Sequence, residues 1–464
     1  MAISTDGGGV TVVAAREVAP DATPSDAGQR EGHERLAGVV LRHPLVSVFV
    51  LALCARLVVT IVVLVVGGTL FEDDATYVDM ARSKAAGLDD AWDDWTAELF
   101  DATATFAIPL TVAYWIADVD FAGHVVVALA GAGAAAAVTA VGLRTVRRPW
   151  AIGAGVAMCL MPSLILWSSL VLKDAFVWLV VGALALTVSL AITTRRSVRA
   201  LGALMAAGVL LLLIAHLRDH SFVVATYAFV AAAILGAWRR PWIPVLALLF
   251  AVALPVAEGM GPLAIDFVRN QGSLEERRLA NAAGAETAFI PVPEDISRPE
   301  REAGIVGHAT PSAGDATDPQ PRPGTATSTT AAPTTTTTIA DDPIATDVIA
   351  DLEHLPKGLS VMFLEPYPGA VDGNSRLQLA LAEHLLWYPL LVLALVGVVV
   401  GIRRRMLSLA FPVLYLLGAA LVYALAEGNF GTAYRHRSEL MWAVMLAAAV
   451  GSQTLVDRRR RVRG

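Results

Sequence analysis

Apolar runs near or above 18 residues recur along this chain, and no other feature constrains its fold as tightly. A run of that length can cross a bilayer as a helix, because a helix satisfies its own backbone groups where no water is present. The runs fall at roughly 45–68, 121–143, 150–170, 175–193, 200–217, 221–238, 241–258, 382–402, 406–426 and 438–456, which predicts ten transmembrane helices. They are continuous and rich in Ala, Leu and Gly, without the alternation a β-barrel requires. With 56 % hydrophobic and 17 % charged residues in 464, the chain has too little polar surface for a soluble protein of its size. The expected fold class is an all-α polytopic membrane bundle with two large outer loops.

The arginines orient the bundle. If the N-terminus is cytoplasmic, the inner turns and the C-terminal tail carry Arg144, Arg147, Arg148, Arg195, Arg196, Arg199, Arg239, Arg240, Arg403, Arg404, Arg405, Arg458 to Arg461 and Arg463, against the single acid Asp457. The opposite loops hold 14 Lys/Arg and 35 Asp/Glu. This asymmetry follows the positive-inside rule with both termini cytoplasmic. The net charge of −7 therefore describes neither face. The basic residues form short turns without interleaved aromatics, so nucleic acid is not an expected partner. The organisation reads as a disordered tail 1–43 with no apolar core of a cleavable signal, and a seven-helix module 44–258 containing outer loop 72–120. An outer loop 259–380 with a Pro/Thr-rich insert 303–345 follows, then a three-helix module 381–456 and a basic tail 457–464. Cys54 and Cys159 both lie in apolar runs and read as small buried hydrophobes, with neither a disulfide nor a metal site implied. No tight ligand spacing such as HExxH occurs.

The polar groups of interest stand at the outer helix ends. FEDDATYVDMAR (71–82) sets Glu72, Asp73 and Asp74 at the exit of the first helix. TFAIPLTVAYWIADV (105–119) is too short and interrupted for a confident span and reads as a helix along the membrane surface, with Trp92, Trp95 and Trp115 at the interface. SSLVLKD ends in Lys173 and Asp174. AHLRDH supplies His216, Arg218, Asp219 and His220, and EGNFGTAYRHR supplies Glu427, Asn429, Tyr434, Arg435, His436 and Arg437. Carboxylates and cations in one outer pocket suit a substrate with a phosphate and a hydroxyl to be deprotonated. Plainer readings stand beside this one. The acids fit a solvated loop start, Lys173 a snorkelling helix end, Asp174 an N-cap, and Glu383 and His384 a helix start. Arg56, near the centre of the first run, needs a partner or a polar cavity.

DDATYVDMAR, with Asp73, Asp74, Tyr77, Ala81 and Arg82, resembles the first outer loop of the GT-C membrane glycosyltransferases. The nearest branch is the bacterial relatives of dolichyl-phosphate-mannose protein mannosyltransferases and lipid A aminoarabinose transferases (family 39-like). The basic turn RTVRRPW, the pair Pro162–Ser163 and Asp174 extend the likeness over about residues 45 to 195. The resemblance implies a polyprenyl-phosphate-linked sugar donor, a glycan, lipid or protein acceptor on the outer face of a bacterial plasma membrane, inversion at the sugar, and no cofactor. It implies Asp73 as general base with Asp74 beside it. Tyr77, Arg82, Lys173, Asp174, Arg218, His220, Tyr434, Arg435 and Arg437 are then the expected substrate-binding residues. An O-antigen polymerase or ligase-like enzyme, using the outer RHR at 435–437, and a lipid or polysaccharide transporter are the rival expectations.

Overall fold

The computed structural model describes residues 40–66, 72–88, 94–236, 240–265, 267, 274–283, 288–290, 344–367 and 375–463. The expected tail 1–43 up to residue 39, the insert 303–345 up to residue 343, and Trp92 lie outside them. Among the described residues the chain is helical, and its strand pairing is one isolated bridge between Ala288 and Asn429.

Eight of the described helices are long and apolar enough to cross a membrane. They are α1 (Pro44–Val66), α5 (Asp120–Thr145), α8 (Asp174–Thr193), α9 (Ser197–Ala215), α10 (Asp219–Gly236), α14 (Ser375–Arg403, its span Glu383–Arg403), α15 (Ala410–Ala426, its span Leu407–Ala426 including the preceding turn) and α16 (Phe430–Arg463). Between them lie α2 (Glu72–Ala85), α3 (Asp94–Ala102), α4 (Ala104–Ile116), α6 (Arg148–Leu160), α7 (Pro162–Trp167), α11 (Trp242–Ala257), α12 (Leu274–Ala283) and α13 (Ile344–Phe363). Large apolar side chains stay exposed along α1 (Val58, Ile61, Val62, Val65) and α14 (Leu385, Val392, Leu395), which only a hydrocarbon surrounding would accommodate. The protein is thus a multi-pass membrane protein by length and composition of its helices.

Two of the ten expected spans differ. The run 150–170 is broken: Pro162 has no N–H and forces Met161 out of the α region, to φ −70° and ψ 120°, so α6 ends and α7 begins. The run 241–258 folds as α11, 16 residues with Pro255 inside, shorter than the eight spans. The 105–119 segment folds mostly as α4, which meets the preceding α3 at 108°. One side of α4 buries Phe106, Ala107, Leu110 and Tyr114, while Trp115 and Ile116 are exposed. At 1.5 Å per residue α4 reaches only about 20 Å, short of the hydrocarbon thickness. Cys159 is buried as expected, but Cys54 is exposed on the outward side of α1.

The core centres on α8 and α16, the most buried of the spans, with α1 and α14 at the periphery. α16 packs against α14 at backbone distance. A Cβ on Gly397 would stand 1.8 Å from the Ala447 carbonyl oxygen, and one on Gly451 would stand 2.0 Å from that of Leu393. Small residues at such crossings let dispersion contacts form between helices that gain nothing from the hydrophobic effect in lipid. Contacts between turns separate the two ends of the bundle. At the arginine-rich end, Arg144 donates to Thr193, Arg147 pairs with Asp457, Arg240 donates to the Arg195 carbonyl, and Thr145 bonds Ser408. The starts of α2, α8 and α16 meet at the opposite end.

Candidate functional site at the end opposite the arginines

At that end, carboxylates and guanidinium groups alternate in one chain of contacts. Asp73, in the first turn of α2, accepts from Arg435 Nη1 at 2.7 Å. Arg435 Nε donates to Asp174 Oδ2 at 2.8 Å, and Asp174 Oδ1 accepts from Arg218 Nη2 at 2.8 Å. Arg218 Nη1 reaches Glu439 Oε2 at 2.6 Å. Glu439 also accepts from Ser221 at 2.6 Å, Tyr423 at 2.8 Å and Tyr415. Charge-assisted bonds of this kind are shorter and stronger than neutral ones. Asp174 and Glu439 are fully buried, whereas the Asp73 side chain is half-exposed at the rim (51 %). The chain therefore runs from a solvent-facing carboxylate into the protein.

Asp174 is the first residue of α8 and Lys173 its N-cap, yet no side chain caps the helix. The carboxylate is committed to the two arginines instead, so the N-cap reading of Asp174 does not hold. Lys173 is buried beside it. Among the described residues its amine makes no hydrogen bond. Burial lowers its pKa to about 8, with repulsion from Arg218 and Arg435 adding to the effect and Asp174 and Asp219 opposing it. Tyr77 is buried under the same cluster, its ring edge-on to Phe106 at 5.1 Å, and burial pushes its hydroxyl up to about 12.

Asp74 faces inward. It is 5 % exposed and accepts the Val171 N–H at 3.0 Å, pinning α2 to the segment between α7 and α8. Burial raises its pKa, and Asp73 raises it further against the opposing effects of His124 and the Val171 N–H. The segment 168–173 is non-helical backbone deep in the protein, and side chains from three elements serve it. Thr60 of α1 donates to the Ser169 carbonyl at 3.3 Å, His124 of α5 contacts the same oxygen at 2.7 Å, and Asp74 takes Val171. Irregular backbone at membrane depth is tolerated only when buried and satisfied in this way.

The structure separates the remaining expected residues from this cluster. Arg82 bonds Asp118 at 2.9 Å and Asp120 at 2.7 Å and lies over the Tyr114 ring, tying α2 to the start of α5. His220 faces Arg277 at 2.7 Å and Phe267. Arg437 and Tyr434 lie on another flank of α16, since two residues of helix turn the direction by about 200°. Arg437 is fully buried, stacked on Tyr434 and Trp387, 3.1 Å from His384 and 3.6 Å from Glu383. Glu383 in turn accepts the Ser163 N–H at 2.7 Å, just past the break between α6 and α7. Arg56 is fully buried, donates to its own helix at the Ala52 carbonyl, and would collide with any side chain at Gly131.

Sequence reasoning missed Glu439 and the hydroxyls around it. The signal was present, because Glu439 stands four residues after Arg435 and so on the same face of α16. Chemically, the cluster offers a rim carboxylate to accept a proton, and a buried amine with two oriented guanidinium groups to receive an anion. Among the described residues no three His, Cys, Asp or Glu side chains converge on a metal position. Comparison of the chain with family models, with curated proteins and with solved structures found no match.

Proposed function

We propose that this protein is an inverting membrane glycosyltransferase of GT-C type, moving a sugar from a polyprenyl-phosphate carrier to an acceptor hydroxyl. The observation that carries the proposal is the juxtaposition of half-exposed Asp73 with Arg435, Asp174, Arg218 and buried Lys173, whose amine makes no hydrogen bond among the described residues. The arginine-rich end faces the cytoplasm of a bacterial plasma membrane, and the site opens outside. The donor phosphate sits against Lys173 and displaces Asp73 from Arg435, freeing that carboxylate. Asp73 takes the proton from the acceptor hydroxyl, whose oxygen attacks the anomeric carbon from the face opposite the phosphate. The bond from that carbon to the phosphate oxygen breaks, and its electron pair leaves on the phosphate. Lys173 and the guanidinium groups stabilise the charge that develops there. No cofactor takes part, and the acceptor is a glycan, lipid or protein.

The test compares wild type with Asp73→Asn in detergent, supplied with polyprenyl-phosphate sugars. The wild type releases polyprenyl phosphate, while the variant retains donor binding and loses turnover by at least about 100-fold, the lower range for a general base. Failure of wild type to bind or consume any such donor would refute the proposal.

A further inference from the structure

At the arginine-rich end, a cleft of about 430 Å³ opens between α5, α8 and the connection from α14 to α15, lined by Leu143, Arg144, Thr193, Arg405, Leu407 and Ser408. Its two cations are placed differently. Arg144 is oriented by hydroxyls, with Nε on Ser189 at 3.2 Å and Nη2 on Thr193 at 2.6 Å. No carboxylate pairs with it among the described residues, and Asp457, in the basic C-terminal tail, is paired with Arg147.

Arg405 occupies a position where the backbone favours glycine. α14 ends in a left-handed turn: the Arg405 N–H bonds the Ile402 carbonyl, the Met406 N–H bonds the Gly401 carbonyl, and Arg405 itself has φ +52°. A side chain in that conformation costs about 1 kcal/mol or more relative to glycine. A cation there could be explained by capping the helix carbonyls, but among the described residues the Arg405 side chain donates to none of them. A strained residue with no compensating local contact points to a role beyond the fold.

We propose that this cleft binds an anionic phosphate ester, with Arg144 and Arg405 on its oxygens and Ser408 as a hydroxyl partner, while Thr193, whose own hydrogen goes to the Ser189 carbonyl, holds Arg144 in place. Leu143 and Leu407 supply the apolar wall beside it. Either a lipid headgroup or a soluble phosphate has this chemistry. The site is independent of the proposed transferase centre, which lies at the other end of the bundle.

The test uses the full chain in detergent and native mass spectrometry. Dioleoylphosphatidylglycerol is titrated against dioleoylphosphatidylcholine, and inorganic phosphate is added in a separate series. One phosphatidylglycerol binds wild type, and Arg405→Gly and Arg144→Gln each weaken it about tenfold, as loss of one charge-assisted contact implies. Arg404→Gln, one position away and outside the cleft, changes binding less than about twofold. Arg405→Gly relieves the left-handed strain, so its melting temperature is no lower than wild type and its loss of binding is not misfolding. Competition by millimolar inorganic phosphate identifies a soluble ligand, and its absence identifies the lipid; both support the site. Equal losses in Arg404→Gln and Arg405→Gly, no loss in Arg405→Gly, or no binding of either probe by wild type would overturn it.

Discussion

Asp174→Asn is the most searching single change in the cluster. The native carboxylate is fully buried and accepts one charge-assisted bond from Arg218 and one from Arg435, each at 2.8 Å. Each such bond contributes about 1.5–3 kcal/mol. Asparagine keeps one acceptor and turns an NH₂ toward the other guanidinium, donor against donor, while two arginines lose a shared counter-charge. Removing one partner of a buried ion pair costs about 3–5 kcal/mol, and we expect a loss in that range. Unfolding in mixed micelles, followed by the fluorescence of the fully buried Trp178 four residues along α8, measures it. A double-mutant cycle with Arg435→Gln should return a coupling of about 1–3 kcal/mol, because the second change removes the cation that the first left exposed. A loss below about 1 kcal/mol, with additive effects in the cycle, would show that water screens the cluster and that the reasoning from burial is wrong.

Four further outcomes follow from the structure. The Lys173 pKa near 8 means that its positive charge is present below that pH and lost above it, so affinity for polyprenyl phosphate falls as pH rises through about 8 and the fall disappears in Lys173→Gln. The folded value lies below the ordinary 10.5, so this group's contribution to stability is full above 10.5 and declines as pH falls toward 8; unfolding titrations across that window check the sign. Gly397→Ala drives a methyl group into the Ala447 carbonyl and lowers stability by about 1–3 kcal/mol or more, whereas Gly153→Ala, with nothing within 4 Å, is tolerated; thermal denaturation of the pair separates them. A water-soluble maleimide labels neither Cys54, which faces lipid midway along α1, nor buried Cys159 until the protein is unfolded, read by intact mass.

The spans and the basic end were legible because both depend on composition over whole segments. Length and hydropathy mark α1, α5, α8, α9 and α10 without reference to neighbours, and the arginine turns follow from one electrostatic rule. Breaks were harder, since Pro162 sits inside an otherwise continuous apolar run and its effect on Met161 is local. At the site, the residue types were visible but their company was not. Arg435 and Arg437 look alike in RHR, yet α16 begins at Phe430, earlier than the hydropathy suggests, and winding through this stretch sends them to different flanks. Glu439 was hidden by its position within an apolar run, where its cost is offset by Tyr415 and Tyr423 of the preceding helix and by Arg218 and Ser221, more than 200 residues earlier. Pairing across such separations is set by packing, which no local window contains.

The contact between Asp73 and Arg435 joins residues 362 positions apart, and the last helix supplies both Arg435 and Glu439. During synthesis α8 therefore enters the membrane with Asp174 lacking both of its guanidinium partners, and the turn before α10 brings Arg218 without Glu439. From α10 to α15 the two residues have only each other. Arrival of α16 neutralises them together, and its glycine contact with α14 fixes its depth as it does so. A chain that stops before α16 retains buried, half-paired ions, whereas a finished chain does not. The same alternation of charge that shapes the site thus also marks the moment at which assembly is complete.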